Sequence, residues 1–511
     1  MLRKHQAAEN IRRQQQGHGN PIISWMDVER GFRFVAVKMT IHWANNWVIF
    51  PNFLDYFMKK SLGKEWGERE RRTSAHPLFR WLQKTQAYSC HKSGEPKVKT
   101  IVMMGFIACW LHMAYALYLI AHHDELPKPL LKRLRSPASF LPAYHEAIVG
   151  AALAVAGMEI SSAETRAGST PTPEFRAKSK SSGKTYEVEA KRKNGWKAPT
   201  GDVTSGEFQH ELESYVRDQI HKASKKKLTN PVYWFELSIP TLIAEADWRA
   251  VAEKVGTVIR EAENSITVDG EPIVPAYVVV TNHTFIADED VRGNPCFGFL
   301  QTIKIDDYPF GRPMEIEAAL EGYDRHRDIF WLMEAWKTAS TVPTTFDGLP
   351  PEFLDSDGKP IRAIKIGDMI EVQNIDGKTI RATVEDISSW GDGKAMLAVR
   401  ANGCHWLVEM PLTKDEAQAA LHYTDAVFGK VNASRRLRDD DPFDLYDWLL
   451  KMHANMTQDQ VGKFFEQNPT LARYEGLPLK SARVRVAREY TKWTWIRSQE
   501  DKARKARQGN G

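Results

Sequence analysis

The run from Thr170 to Trp196, TPTPEFRAKSKSSGKTYEVEAKRKNGW, carries two short strand patterns separated by a turn. Tyr186 to Lys191 alternates strictly, and successive side chains of a strand point to opposite faces. Glu187, Glu189 and Lys191 therefore share one face, and Tyr186, Val188 and Ala190 the other. Pro173-Glu174-Phe175 opens a second strand-like segment, and KSKSSGKT, with Ser181-Ser182-Gly183, reads as a hairpin turn that returns the chain alongside. Paired in this way, Glu174 approaches Glu189 and Lys191. A hard dication such as Mg²⁺ takes oxygen ligands, usually one or two protein carboxylates, and leaves its other positions to water and phosphate oxygens. A lysine beside it can lower the pKa of a bound water or stabilise charge developing on phosphate. The plainer alternative is a solvated strand face with a few ion pairs.

Working outward, HEAIVGAALAVAGMEISS precedes this run and predicts a helix around Pro142 to Gly157 that carries Glu146. A second helix is expected from Phe208 to Lys225, followed by the strand-like runs VYWFELSI and AYVVVTN. Helices alternating with β-branched apolar runs indicate an α/β domain over residues 136–340. This ordered set resembles the PD-(D/E)xK nuclease superfamily, the restriction-endonuclease-like fold. Glu174 after Pro173 stands for the first acidic residue, and Glu189-Ala190-Lys191 for the E-x-K half. Glu146 matches the glutamate that many members carry on the helix before the sheet, and Gln219 the glutamine some place on the helix after the motif strand. AYVVVTNHTF is similar to the additional core strand. The sequence departs from the commonest pattern at Glu174, where aspartate is more usual; glutamate keeps the carboxylate and adds a methylene.

The resemblance implies a metal-dependent nuclease. Glu174, Glu189 and Glu146 would bind Mg²⁺ or Mn²⁺, Lys191 would assist the attacking water or stabilise the phosphorane-like charge, and a phosphodiester would be hydrolysed in line. It also implies a setting in restriction, antiviral defence or repair, with DNA ahead of RNA as substrate and a homo-oligomer or a defence-system protein as partner. Positive charge at Lys193 and at Lys225, Lys226 and Lys227 lies close to the motif in sequence and could neutralise backbone phosphates. Trp196 could stack on a base, although packing is the plainer reading. The rival function is a non-cleaving nucleic-acid-binding or scaffold protein with the same fold.

The remaining chain divides by composition. Residues 1–135 read as an aromatic-rich helical domain, with Trp43, Trp47, Phe50, Phe53, Tyr56 and Phe57 at near-helical spacing. Residues 341–357 form a linker rich in Pro, Gly and Asp. Residues 358–415 alternate apolar and polar positions around DG and GDG, which predicts a small antiparallel sheet or barrel. Residues 416–511 read as helical with a basic tail. In that region Glu475 to Pro478 breaks two amphipathic stretches into a helix-turn-helix-like unit bearing Lys480, Arg483, Arg485 and Arg488, for which helical packing with solvated arginines is the preferred reading.

Seventy Lys and Arg against 65 Asp and Glu leave +5, too small a balance in 511 residues to name an anionic partner. Cys90, Cys109, Cys296 and Cys404 lie far apart without a CxxC pair, so neither a disulfide framework nor a zinc site is indicated. Cys90-His91 and His122-His123 lack a partner cluster at ligand spacing and read as structural or exposed. The N-terminus lacks the apolar core of a secretory signal, and a cytoplasmic protein is expected. Ile101 to Ile120 is uncharged and, as a helix of about 30 Å, long enough to cross a bilayer. A mid-span His and its solitary occurrence favour a buried core helix over a membrane span.

Overall fold

The computed structural model describes residues 16–27, 29–73, 76–88, 102–162, 172–192, 202–241, 244–309, 314–346, 364–373, 377–389, 393–401, 404–414, 416–417, 428, 442–453 and 456–508. The protein is mixed α/β and divides into two compact units, Met1–Ile305 with Asp328–Val431, and Asp306–Arg327 with Asn432–Gly511.

The N-terminal region is not wholly helical. Strands β1 (Ile23–Asp27), β2 (Phe32–Val37) and β3 (Thr40–Ala44) form an antiparallel sheet with Trp25, Phe34 and Trp43 in register. FRFVAV and TIHWA alternate with period two, and the chain reverses at Gly31 and Lys38, both at positive φ. The helical aromatic spacing belongs only to the later part, helix α1 (Phe50–Leu62), which buries Phe50, Phe53, Leu54 and Phe57. Trp43 sits instead on a strand.

Helix α2 (Gly105–His123) is long and apolar enough to cross a bilayer by length and composition, yet nearly all of it is buried inside the first unit. It packs against α3 (Phe140–Val155), where Tyr144 donates its hydroxyl to the Cys109 carbonyl at 3.1 Å. This is the buried core helix the sequence favoured. His122 and His123 at its end bond to backbone groups of Pro21, Lys38, Leu119 and Asn20, so both are structural.

Beside these helices runs a six-stranded sheet. Its strands are β4 (Glu159–Ser162), β5 (Phe175–Lys178), β6 (Thr185–Lys191), β7 (Pro231–Glu236), β8 (Ala276–His283) and β9 (Cys296–Ile303), in spatial order β9-β8-β7-β6-β5-β4. Strands β6, β7 and β8 are parallel, and the pairs at either side are antiparallel. Parallel neighbours need crossovers. Helix α4 (Gly206–Ser224), capped by Ser205, joins β6 to β7, and α5 (Glu245–Ser265) joins β7 to β8. Both crossovers bury apolar stripes, with Leu212, Val216, Val255 and Ile259 meeting Tyr233, Phe235, Val278 and Val280. Every residue of β7 and β8 is buried, as expected of strands covered on both faces.

The β5–β6 hairpin is held at its turn. Ser179 and Ser181 each donate a hydroxyl to Asp328 at 2.8 Å, Tyr186 donates at 3.2 Å, and Ser182 adds a further bond. Asp328 lies on helix α6 (Ile316–Ala339).

Strands β10 (Met369–Gln373), β11 (Thr379–Ser389), β12 (Lys394–Ala401) and β13 (Cys404–Pro411) form the expected antiparallel sheet, a meander over Val384, Leu397 and Val399. The second unit contains α7 (Pro442–His453), α8 (Gln458–Gln467), the single turn α9 (Pro469–Ala472) and α10 (Leu479–Gln508), with the helical break falling at 473–478.

Two buried histidines make stability depend on pH. Burial holds His112 of α2 down to about 3, helped by the nearby His283, and burial holds His145 of α3 down to about 4. The unfolded chain takes up these protons near pH 6.5 and the folded chain refuses them, so stability rises with pH from about 4 to about 6.5. Each site contributes at most about 1.4 kcal/mol per pH unit. Urea midpoints measured across that window should climb and then level, and His112→Leu should shallow the climb; an unaltered slope in that variant contradicts the assignment.

Candidate functional site

Glu174 stands immediately before β5, and the register that sets Phe175 opposite Val188 sets Glu174 beside Glu189. Period two keeps Glu189 and Lys191 on one face of β6, and the Ala190 N–H between them donates to Glu174 Oε2 at 3.1 Å. Glu189 is fully buried. Its Oε1 meets Lys191 Nζ in an ion pair outside hydrogen-bond geometry. Its Oε2 accepts from Lys226 Nζ at 2.6 Å, and the same ammonium lies 3.5 Å from Glu174 Oε1 and donates to the Thr172 carbonyl at 2.7 Å. Lys191 Nζ is 4.0 Å from Glu174 Oε1. Two carboxylates and two ammoniums thus occupy one desolvated corner.

The charges account for one another. A buried carboxylate without a partner is costly, and each of these has cations beside it. Burial and the adjacent Glu189 carboxylate push Glu174 well above the usual carboxylate range, against the pull of Lys191 and Lys226. Burial alone would lower Lys191, but Glu174 and Glu189 hold it above its ordinary value. Lys191 is therefore a cation.

Of the other expected site residues, Glu146 is 6% exposed and pairs with Arg133 at 2.5 Å; it lies close enough to Lys191 to help raise it. Among the described residues, no group of three or more His, Cys, Asp or Glu comes together to hold a metal. Gln219 is buried, and its amide donates to the neighbouring Asp218 at 3.1 Å. Glu187 ties Arg176 of β5 at 2.9 Å to the Thr229 N–H at 2.8 Å, a structural role. The three lysines at 225–227 do not act as one patch: Lys225 is exposed, Lys227 pairs with Asp269 at 2.9 Å, and Lys226 enters the carboxylate corner. Lys193, Trp196 and the Cys90-His91 pair lie outside the described residues. Arg485 and Arg488 on α10 pair with Glu317, Glu321 and Asp324, and Arg483 bonds the Met456 carbonyl. These arginines serve packing within the second unit.

A second polar cluster escaped the sequence reading. On the opposite face of the sheet, Glu236 ends β7 and accepts from His283 Nδ1 at 2.7 Å, from the His283 N–H at 2.8 Å and from the Thr281 hydroxyl at 2.8 Å. Trp336 donates to His283 Nε2 at 3.3 Å. Burial would raise Glu236, but His283 and His145 hold it down to about 2. Arg192, immediately after β6, donates to Ser238 at 2.9 Å on this same face. The cluster fastens the ends of the parallel strands. The sequence hints were the polar ends of two apolar strands, Glu236 after VYWF and Thr281-Asn282-His283 after AYVVV.

No known family model, no curated protein and no solved structure matches the chain.

Because the Asp328 bonds fix the turn joining the two acidic strands, Asp328→Ala should lower stability by about 1.5–3 kcal/mol, the range for hydrogen bonds to a charged group. Urea denaturation of wild type and variant checks this; a change under about 0.5 kcal/mol, the scatter of neutral surface substitutions, would show that the turn holds without the clamp.

Proposed function

We propose that the protein is a metal-dependent nuclease whose six-stranded sheet is a restriction-endonuclease-like core. The observation that carries this reading is the convergence of Glu174, Glu189 and Lys191, where an antiparallel strand pair meets the parallel strands. The donor set fits a divalent cation. Mg²⁺ needs only one or two protein carboxylates, and Glu174 and Glu189 provide two that repel each other when ionised. Glu189 Oε1 is fully buried and faces only the Lys191 ammonium, so the carboxylate is presented inside the corner rather than to bulk solvent. When bound, the cation would supply an activated water and neutralise charge on the scissile phosphate.

The chain's own groups set the rest. Lys191, held as a cation, stabilises negative charge on the phosphate oxygens rather than taking a proton from water. The Ala190 N–H orients the Glu174 carboxylate. Glu146 is positioned by Arg133 and acts at a distance, through its field on Lys191. In the hydrolysis, a water oxygen forms a bond to phosphorus, the bond to the leaving oxygen breaks, and the water's proton ends on solvent or the leaving group. Duplex DNA is the first substrate class to test, with RNA second.

The test uses purified full-length chain with plasmid, linear duplex, single-stranded DNA and RNA, with and without Mg²⁺ or Mn²⁺. Glu189→Gln and Glu174→Gln should lose cleavage, Glu174→Asp should keep part of it, and Lys191→Met should bind nucleic acid yet cut on the order of 10²–10³-fold more slowly. Wild-type rates in both Glu189→Gln and Lys191→Met would place the chemistry elsewhere. Binding without cleavage under every metal condition would favour a scaffold that keeps the fold alone.

A further inference from the structure

We infer that Lys226 is a built-in competitor for the divalent cation, resting in the position the ion must take and leaving it when the ion binds. This rests on the nuclease reading of the same site. The geometry singles Lys226 out from Lys191. Each oxygen of Glu189 faces a different ammonium, Oε1 facing Lys191 and Oε2 facing Lys226. Glu174 Oε2 is occupied by the Ala190 N–H, which leaves Oε1 turned toward the ammoniums. Lys226 Nζ is the cationic atom nearest both remaining oxygens, 2.6 Å from Glu189 Oε2 and 3.5 Å from Glu174 Oε1. An ion bridging Glu174 and Glu189 through these oxygens meets the Lys226 ammonium first.

The two lysines also differ in attachment. Lys191 lies on β6 two residues from Glu189, so its backbone is fixed relative to the carboxylate by the strand itself. Lys226 comes from the turn after α4, beyond the C-cap at Lys225 and just before Lys227 at φ 48°. The two side chains are equally exposed, 21% for Lys226 and 22% for Lys191, so the difference between them lies in this attachment. Outside, the natural acceptors of a freed ammonium are nucleic-acid phosphates, which would make cation and substrate binding mutually supportive.

The experiment is Mn²⁺ titration of the full-length chain, followed by calorimetry and by the electron-paramagnetic signal of free Mn²⁺, with all forms in the same buffer. Wild type is compared with Lys226→Met, Lys226→Gln and the neighbouring control Lys225→Met. Removing a unit charge within about 4 Å of the ion should tighten Mn²⁺ binding on the order of tenfold in both Lys226 variants, with the control unchanged. Thermal melting without metal confirms that each variant is folded. Lys226→Gln preserves an amide donor for the Thr172 carbonyl, so it serves if Lys226→Met does not fold. Unchanged or weaker Mn²⁺ binding in folded Lys226 variants, with wild type binding Mn²⁺, overturns the competitor role and leaves the nuclease reading standing. Absence of Mn²⁺ binding from every form, wild type included, overturns both.

Discussion

Placing Glu174 against Glu189 in a desolvated corner is the constraint around which the first unit is arranged. Like charges so close cannot both ionise cheaply away from water, and burial already pushes Glu174 upward. Two ammoniums from different elements answer this, Lys191 from β6 and Lys226 from the turn after α4. For both to arrive, the hairpin must hold its register and the crossover helix must end at the right height beside β6. The Asp328 clamp secures the first condition, and the apolar stripe of α4 against Tyr233 and Phe235 secures the second.

The sheet separates two kinds of polar chemistry. The face toward α4 and α5 carries the acidic pair and its lysines. The face toward α2 and α3 carries Glu236, whose oxygens are fully engaged by His283, Thr281 and Ser238. Glu236 is satisfied and held ionised down to about 2, whereas Glu174 is held well above its ordinary range. Burial acts upward on both carboxylates; the imidazoles beside Glu236 outweigh it, and the ammoniums beside Glu174 do not.

Much of this was legible because short-range periodicity suffices for it. Strict alternation from Tyr186 to Lys191 placed Glu189 and Lys191 on one face, and SSG marked the turn that brings Glu174 back. The helices bearing Glu146 and Gln219 were readable from their apolar stripes, but their partners were not. Arg133 and Asp218 claim those side chains through contacts that spacing does not reveal. Lys226 read as one of three surface lysines because its direction depends on the turn between Lys225 and Asn230, where Lys227 and Asn230 take positive φ. The Glu236–His283 pair joins residues 47 apart through parallel pairing of β7 with β8, beyond any local pattern. In the N-terminal region, aromatic spacing continuous from a strand into a helix hid the three-stranded sheet.

The most direct measurement is single-turnover cleavage of a labelled duplex by excess full-length protein, with Mg²⁺ present or removed by chelator. The account predicts metal-dependent strand scission by wild type that restores on adding Mg²⁺ back and is lost in folded Glu189→Gln. Scission that persists under chelation, or a Glu189→Gln variant cutting at the wild-type rate, would contradict it.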